Sequence, residues 1–440
     1  MRPLLRELFN HDFEDGASTA RFHARFFEKP LSLGELRKVH DAVQASRITV
    51  GGKTIPAAIT IKGKTSEKPF AILAQLHGNE PAGLAGILLA MALSDSGELE
   101  RDVIGIIGNP LAAKQYFEAW EKNPRARQET RDAYRCGLGK KDVLLPDMNR
   151  IPTDFLKRDP SDPHIKRAQE LYTIGQHISG IADLHSARGN MVCITDYKND
   201  RDLKDCPIRD VLTGLAEAIS ANASANVTVQ TLKTIFCNVF DLETQTGIEC
   251  GRHEAPEAPY IASSFTLSLL HTLGLTKIGP IYDKEDGVFH HYAVQPRLTY
   301  GDMAHDDTLQ ENDKVYMAKT CTNSDEIPPN STVVVVRKED GTHKLQPILE
   351  FLVTPAGDLV YAICQYDEME AVEKDQVVAL ALPSGTEFTA PFAFSGIFLS
   401  KSASLYDKDP AVGPWPVAAD NIANVKFCYP CKVTETKVTF

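Results

Sequence analysis

Between about residue 55 and residue 275, short apolar runs alternate with stretches whose apolar positions recur at helical spacing. This alternation predicts an α/β fold. Phe70-Ala-Ile-Leu-Ala-Gln-Leu76 reads as a buried strand, followed by the polar His77-Gly-Asn-Glu80. The Ala-, Leu- and Gly-rich residues 81–93 then read as a helix with Pro81 in its first turn, where the missing N–H has no partner to lose. Val103-Ile-Gly-Ile-Ile107 ends in Gly-Asn-Pro, a turn signal, before a helical stretch over 111–120. Residues 123–141 are polar, rich in Arg and Lys and without a clear period, which reads as a long loop. A helix capped by Ser161 is expected over 161–178, with strands over 180–184, 226–232 and 247–251 and helices over 207–220 and 258–273.

After about residue 276 the pattern changes. Runs over 333–336, 359–364, 377–382 and 432–440 are β-rich and separated by Gly, Pro and Asp turns. The chain therefore divides into an N-terminal extension (1–54) packed on a central domain (55–280), and a β-rich C-terminal domain (281–440). A length of 440 residues accommodates this division.

Composition narrows the function. With 43% apolar and 24% charged residues the chain is of ordinary globular type, which excludes disorder or coiled coil for most of it. Lys plus Arg is 47 against 59 Asp plus Glu, a net charge of −12 that repels phosphate backbones, so no nucleic-acid partner is expected. A small basic pocket for an acidic metabolite remains compatible with that charge. Charges interrupt the amino terminus before a signal-peptide run can form. The longest apolar stretch, 81–93, is well short of the roughly 20 residues of a membrane span, so no membrane partner is expected. Nine scattered cysteines, an odd number, fit a reduced cytoplasm. Cys428 and Cys431 form a CxxC pair without the second pair a zinc ribbon requires, and read as reduced thiols near a strand.

The candidate chemistry lies at strand ends. His77 and Glu80 stand three residues apart after the 70–76 strand, where ligands bind in open α/β sheets. An imidazole and a carboxylate both suit zinc. A second His-x-x-Glu pair, His11 and Glu14, follows no strand and reads as solvated surface. Asp183-Leu-His-Ser186 repeats the arrangement, an apolar strand delivering His185. A His77–Glu80–His185 set then matches the three protein ligands common at catalytic zinc. In Asp147-Met-Asn-Arg150, Arg150 can grip a carboxylate in bidentate fashion, Asn149 can add a directed hydrogen bond, and Asp147 can accept from the far nitrogen of a ligating histidine. Glu249, in Gly-Ile-Glu-Cys-Gly, is a strand carboxylate between glycines that allow close approach; it is a candidate base, or else a partner of Arg252 or Arg188.

Taken in order, His77-x-x-Glu80, Asp147-x-Asn149-Arg150, Asp183-x-His185 and Glu249-x-Gly251 resemble the succinylglutamate desuccinylase/aspartoacylase family, a branch of the zinc carboxypeptidase-like hydrolases. The resemblance covers roughly residues 55–275. It implies a mixed-sheet, zinc carboxypeptidase-like (phosphorylase/hydrolase-like) α/β catalytic domain with a mainly β C-terminal domain. It also implies one Zn2+ per chain on His77, Glu80 and His185, with Glu249 as catalytic base and acid. Asn149 and Arg150 would hold the substrate carboxylate, and Asp147 would support His77. Family amidohydrolases place a further arginine shortly before the Asn-Arg pair, to stabilise the oxyanion. Here Gly139-Lys-Lys-Asp142 occupies that stretch, and Arg125, Arg127, Arg131 and Arg135 lie further back as four candidates.

The expected activity is a zinc amidohydrolase cleaving an N-acyl amino acid or related small carboxylate amide. A metallocarboxypeptidase acting on peptide carboxyl termini is the alternative with the same metal site. A binding protein that has lost catalysis is the alternative of a different class, and the retained Glu249 argues against it. Neither the acyl group, the amino acid nor any homo-oligomeric state is readable from the residues.

Overall fold

The computed structural model describes residues 1–11, 13, 18–124, 134–139, 145, 147–151, 154–187, 192–196, 227–230, 242, 244–280, 287–294, 298–303, 314–317, 333–337, 343–347, 352–353, 359–360, 370–372, 374–375, 377–382, 386–397, 417–418 and 426–438. Three amino-terminal helices, α1 (Arg2–Phe9), α2 (Thr19–Phe26) and α3 (Leu33–Gln44), precede a hairpin of β1 (Arg47–Val50) and β2 (Lys53–Pro56). Seven further strands build the central sheet: β3 (Ala58–Ile61), β4 (Thr65–Ala74), β5 (Arg101–Ile107), β6 (Gly180–Ala187), β7 (Val192–Asp196), β8 (Val227–Gln230) and β9 (Thr244–Arg252). Their spatial order is β3-β5-β4-β6-β9-β7-β8. The inner run β5-β4-β6-β9 is parallel; β3 and β7 join it antiparallel, so the sheet is mixed.

Among the described residues the remaining α-helices are α4 (Leu84–Asp95), α5 (Pro110–Lys122), α6 (Pro163–Gly175) and α7 (Ala258–Thr272). Alternation along the strands divides the core in two. Phe70, Ile72 and Ala74 of β4 join Ala182 and Leu184 of β6 against α3, α4 and α7. Ala71 and Leu73 of β4 join Ile181 against α6 and the β1–β2 hairpin. Between the sheet, α3 and α7, α4 is apolar on all sides, with every residue from Leu84 to Leu93 buried. Because Leu184 and Ile248 belong to the first core, period-two alternation puts Asp183, His185 and Glu249 on the opposite face. That face carries the polar side chains considered below.

Several elements differ from expectation at their ends. The helix expected over 81–93 opens as a 3-10 turn, Pro81–Gly83, before α4 begins. Gly83 lies so close to β6 that an added Cβ would meet the Leu184 Cβ at 2.8 Å. Helix α6 starts at Pro163 and is capped by Asp162, not Ser161; Asp162 Oδ1 accepts from the His164 N–H at 2.8 Å. Ser161 Oγ is engaged instead in donating to Asp159 Oδ2 at 2.7 Å. His11 is not solvated surface. Its ring packs against Phe9 and Phe13, with centroids 6.0 and 4.9 Å away, because the amino-terminal segment folds onto the first core. Glu14 and the helix expected over 207–220 lie outside the described residues. Beyond residue 280 the described segments include strands, among them Gly287–Val294 paired antiparallel with Lys426–Val438, and a 3-10 turn, Tyr300–Asp302. Cys428 and Cys431 fall on the strand Lys426–Val438.

Candidate metal centre

Strand β4 ends at Ala74, and the chain turns sharply through Gln75, whose φ is 51°. The Gly108 N–H donates to the Ala74 carbonyl at 2.8 Å and the Asn109 N–H to the Gln75 carbonyl at 2.9 Å, tying the turn to the end of β5. Residues 77–80 then form a tight loop. Gly78 fits where no side chain would, since a Cβ there would meet the Ala112 backbone at 2.4 Å. This loop brings His77 and Glu80 together at the carboxyl edge of the parallel strands. His185 comes directly from β6.

The two imidazoles converge on one carboxylate. His77 Nδ1 is 2.8 Å from Glu80 Oε1, and His185 Nδ1 is 2.7 Å from Glu80 Oε2. All three side chains are buried, and their candidate ligand atoms lie within 4.8 Å of one another. The outer nitrogens are also held: His77 Nε2 is 3.0 Å from Asp147 Oδ1, and His185 Nε2 is 2.8 Å from Asp183 Oδ2. Imidazole ligands whose far N–H meets a carboxylate are the usual support at protein metal sites, since the carboxylate fixes tautomer and ring orientation.

Electrostatics agree with the geometry. Burial opposes charge on His77, as does the nearby Arg135, yet Glu80 and Asp147 outweigh both and raise its pKa. Burial likewise opposes charge on His185, but Asp183 and Glu80 raise its pKa well above the ordinary value. Burial alone would raise Glu80; the two imidazoles instead hold it well below the usual carboxylate range. Raised imidazoles and a lowered Glu80 show that these donors favour positive charge between them, a place a divalent cation can take. The cluster could hold one metal ion.

Glu249 is half-buried on β9 and stands directly across from His185 in the parallel register, on the same face. Register slips by one residue just beyond this pair, between His185 and Ala187, and Gly251 takes a φ of 84° there. Such bulges turn side chains at the rims of sheets. The neighbouring Cys250 faces the first core, and burial, together with the charges of Glu249 and Glu80, pushes its thiol pKa well up. Asn149 follows Asp147 in the 3-10 turn Met148–Arg150, its N–H donating to Asp147 Oδ1 at 2.7 Å. The main chain of Arg150 completes that turn; its side chain is outside the described ones.

Of the four arginines the sequence left open, Arg135 reaches the centre. Its Nη1 donates to Glu80 Oε1 at 3.2 Å, while Nη2 lies 3.6 Å from Asp147 Oδ2. Nη2 also lies 2.9 Å from His77 Nε2. A guanidinium can only donate, so with the His77 Nε2–H directed at Asp147 the favourable partner of Nη2 is that carboxylate. The Arg135 side chain is 21% exposed, against 2% for Glu80, which puts the guanidinium on the open side of the cluster. Arg125, Arg127 and Arg131 lie outside the described residues.

No protein-family model matches the chain, and no curated protein matches its sequence. Its structural neighbours include desuccinylase, aspartoacylase and aminoacylase structures. Murine aminoacylase 3 matches with a TM-score of 0.42 and 15% identity over 86% of this chain and 99% of its own. A succinylglutamate desuccinylase/aspartoacylase from Rhodobacter sphaeroides matches with a TM-score of 0.44 and 15% identity over 89% of this chain and 94% of its own. The succinylglutamate desuccinylase from Vibrio cholerae matches with a TM-score of 0.45 and 12% identity over 89% and 90%. Identities this low carry no chemistry across, so the side chains of this chain must carry it.

Sequence reading left three interactions unassigned. Asp183 supports His185, and its position two residues upstream on the same strand face was a usable signal. Ser186 Oγ lies 2.8 Å from His253 Nδ1 beneath the cluster, and Gln75 braces the 77–80 loop. Neither pairing has a spacing that would announce it. Among the described residues no helix is long and apolar enough to cross a membrane.

Proposed function

We propose that this chain is a zinc-dependent amidohydrolase that removes the acyl group from an N-acyl amino acid or a similar small carboxylate amide. The observation that carries this reading is the convergence of both Nδ1 atoms on Glu80, at 2.8 and 2.7 Å, with Asp147 and Asp183 behind the rings. Hard and borderline donors in a His-Glu-His set suit zinc and leave a position open for reaction. Bound there, zinc would supply Lewis acidity and lower the pKa of water towards ~7.

Glu249 acts as the base: it takes the proton of the attacking water and returns it to the leaving nitrogen as the C–N bond breaks. Arg135, on the open side, stabilises the negative charge that develops on the carbonyl oxygen. Asn149 and Arg150 hold the substrate carboxylate and so orient the scissile amide. In this reading residues 55–280 are the catalytic domain, 1–54 an extension packed on it and 281–440 a β-rich domain. The sparse, odd cysteine count supports a cytoplasmic location.

The test is hydrolysis by the zinc-loaded protein of N-succinyl, N-acetyl and other N-acyl amino acids beside blocked dipeptides, with Glu249→Gln as control. We expect turnover of an N-acyl amino acid, and a Glu249→Gln variant that keeps its zinc while losing at least ~10²-fold in kcat. Cleavage confined to the dipeptides would replace the deacylase reading by a carboxypeptidase. Undiminished turnover in Glu249→Gln would remove Glu249 from the chemistry.

A further inference from the structure

Helix α3 belongs to the amino-terminal segment, far in sequence from the site, yet one of its side chains reaches the metal-ligand loop. Its buried face consists of Leu36, Val39, Val43 and one polar residue, His40, which is 1% exposed. His40 Nδ1 is 3.0 Å from Gln75 Oε1, and Gln75 Nε2 donates to the Gly78 carbonyl at 3.1 Å. Gln75 is fully buried and stands in the left-handed region two residues before His77. The side-chain amide therefore spans from α3 to the middle of the His77-Gly-Asn-Glu80 loop.

Its orientation follows from chemistry. The Gly78 carbonyl can only accept, so the Gln75 NH2 faces it and Oε1 must face His40. His40 then carries its proton on Nδ1 and donates. Both amide atoms are used, and neither can turn without leaving a buried polar group unpaired. A glutamine in a backbone conformation that L side chains rarely adopt is held there from both sides.

We propose that His40 and Gln75 are positioning residues of the metal centre, and that the amino-terminal segment thereby helps to form the ligand loop 77–80. The chain of contacts runs from His40 Nδ1–H to Gln75 Oε1, and from Gln75 Nε2–H to the Gly78 carbonyl between His77 and Glu80. Without it, the left-handed turn loses its clamp and His77 and Glu80 lose their fixed separation. His185 is unaffected, because β6 carries it. The proposal rests on the metal reading of the His77–Glu80–His185 cluster.

The experiment measures zinc affinity by chelator competition in the full chain, together with the Tm of the metal-free protein. The variants are His40→Leu, His40→Asn, Gln75→Met and, as a packing control on the same helix face, Val43→Ala. We expect His40→Leu and Gln75→Met to weaken zinc binding about tenfold, in the range seen when supports behind metal ligands are removed. His40→Asn, which keeps an N–H donor near the place of Nδ1, should restore most of that loss. Val43→Ala should lower the Tm and leave the zinc Kd within twofold. Should His40→Leu not fold, Gln75→Met, a swap of similar volume, carries the same test. Unchanged zinc affinity in Gln75→Met, or equal weakening in Val43→Ala, would overturn the proposal while leaving the metal site intact. A wild-type protein that binds no stoichiometric zinc would overturn the metal reading itself.

Discussion

His77 and His185 bring the same kind of atom to the same carboxylate by different means. His185 is part of β6, and the ladders to β4 and β9 fix its backbone before any side chain takes part. His77 lies beyond the end of β4, in a loop whose shape depends on Gln75 in a left-handed turn, a glycine against Ala112 and a main-chain bond from the Gly78 N–H to the Arg135 carbonyl at 2.8 Å. A ligand within a strand inherits the rigidity of the sheet. A ligand in a loop needs supports from elsewhere in the chain, here α3, α5 and the segment around Arg135. Positional precision near 0.5 Å is what a metal or catalytic site demands, so these supports are part of the site.

The largest effect expected is from the ligands themselves. Replacing either histidine by alanine should weaken zinc binding at least ~10²-fold, since one of three protein donors is lost. His77→Ala and His185→Ala should be alike in this, and chelator competition would read both. The supporting carboxylates should separate the two regions. Asp147→Ala and Asp183→Ala should each weaken zinc binding by about 10- to 100-fold, with Asp147→Ala the more severe. Asp147 comes from a separate segment and also faces Arg135, whereas Asp183 backs a ring that the strand already fixes. The reverse order would show that the strand does not hold His185 as described.

A smaller effect concerns pH. Burial lowers the pKa of His40, His23 and His164 below the ordinary 6.5, opposed for His40 by the bond to Gln75. As pH falls below about 6.5 the unfolded chain takes up these protons before the folded one does. Stability present above that pH is therefore lost on acidification. His40→Asn removes one of the three groups, so its Tm should decline less steeply than that of the wild type between pH 7 and about pH 5. Equal slopes would mean that His40 titrates alike in the folded and the unfolded chain.

Much of the candidate site was legible in the residues. His77, Glu80 and His185 were marked by apolar runs ending in ligating side chains, because a strand buried on both faces leaves few other places for polar groups. Asp147 was marked as a carboxylate able to back a ligating histidine, and only the resemblance pointed to His77 as its partner. Arg135 could not be separated from Arg125, Arg127 and Arg131, since a loop without period gives no face to count along. The cap of α6 was misread by one residue because Ser161 and Asp162 both favour that position, and only the Ser161–Asp159 bond decides between them.

By itself, the sequence determined the α/β alternation and the candidate ligand residues, because periodicity and chemical identity are local properties. The folded chain decided which arginine faces Glu80, that Glu80 meets His185, and that a helix from the first 45 residues reaches Gln75 beside the loop of His77. Those are contacts between segments 35 to 105 positions apart, as with His40 and Gln75 or Glu80 and His185. Their partners are selected by packing against the two faces of one sheet, and no pattern within a single segment records that selection.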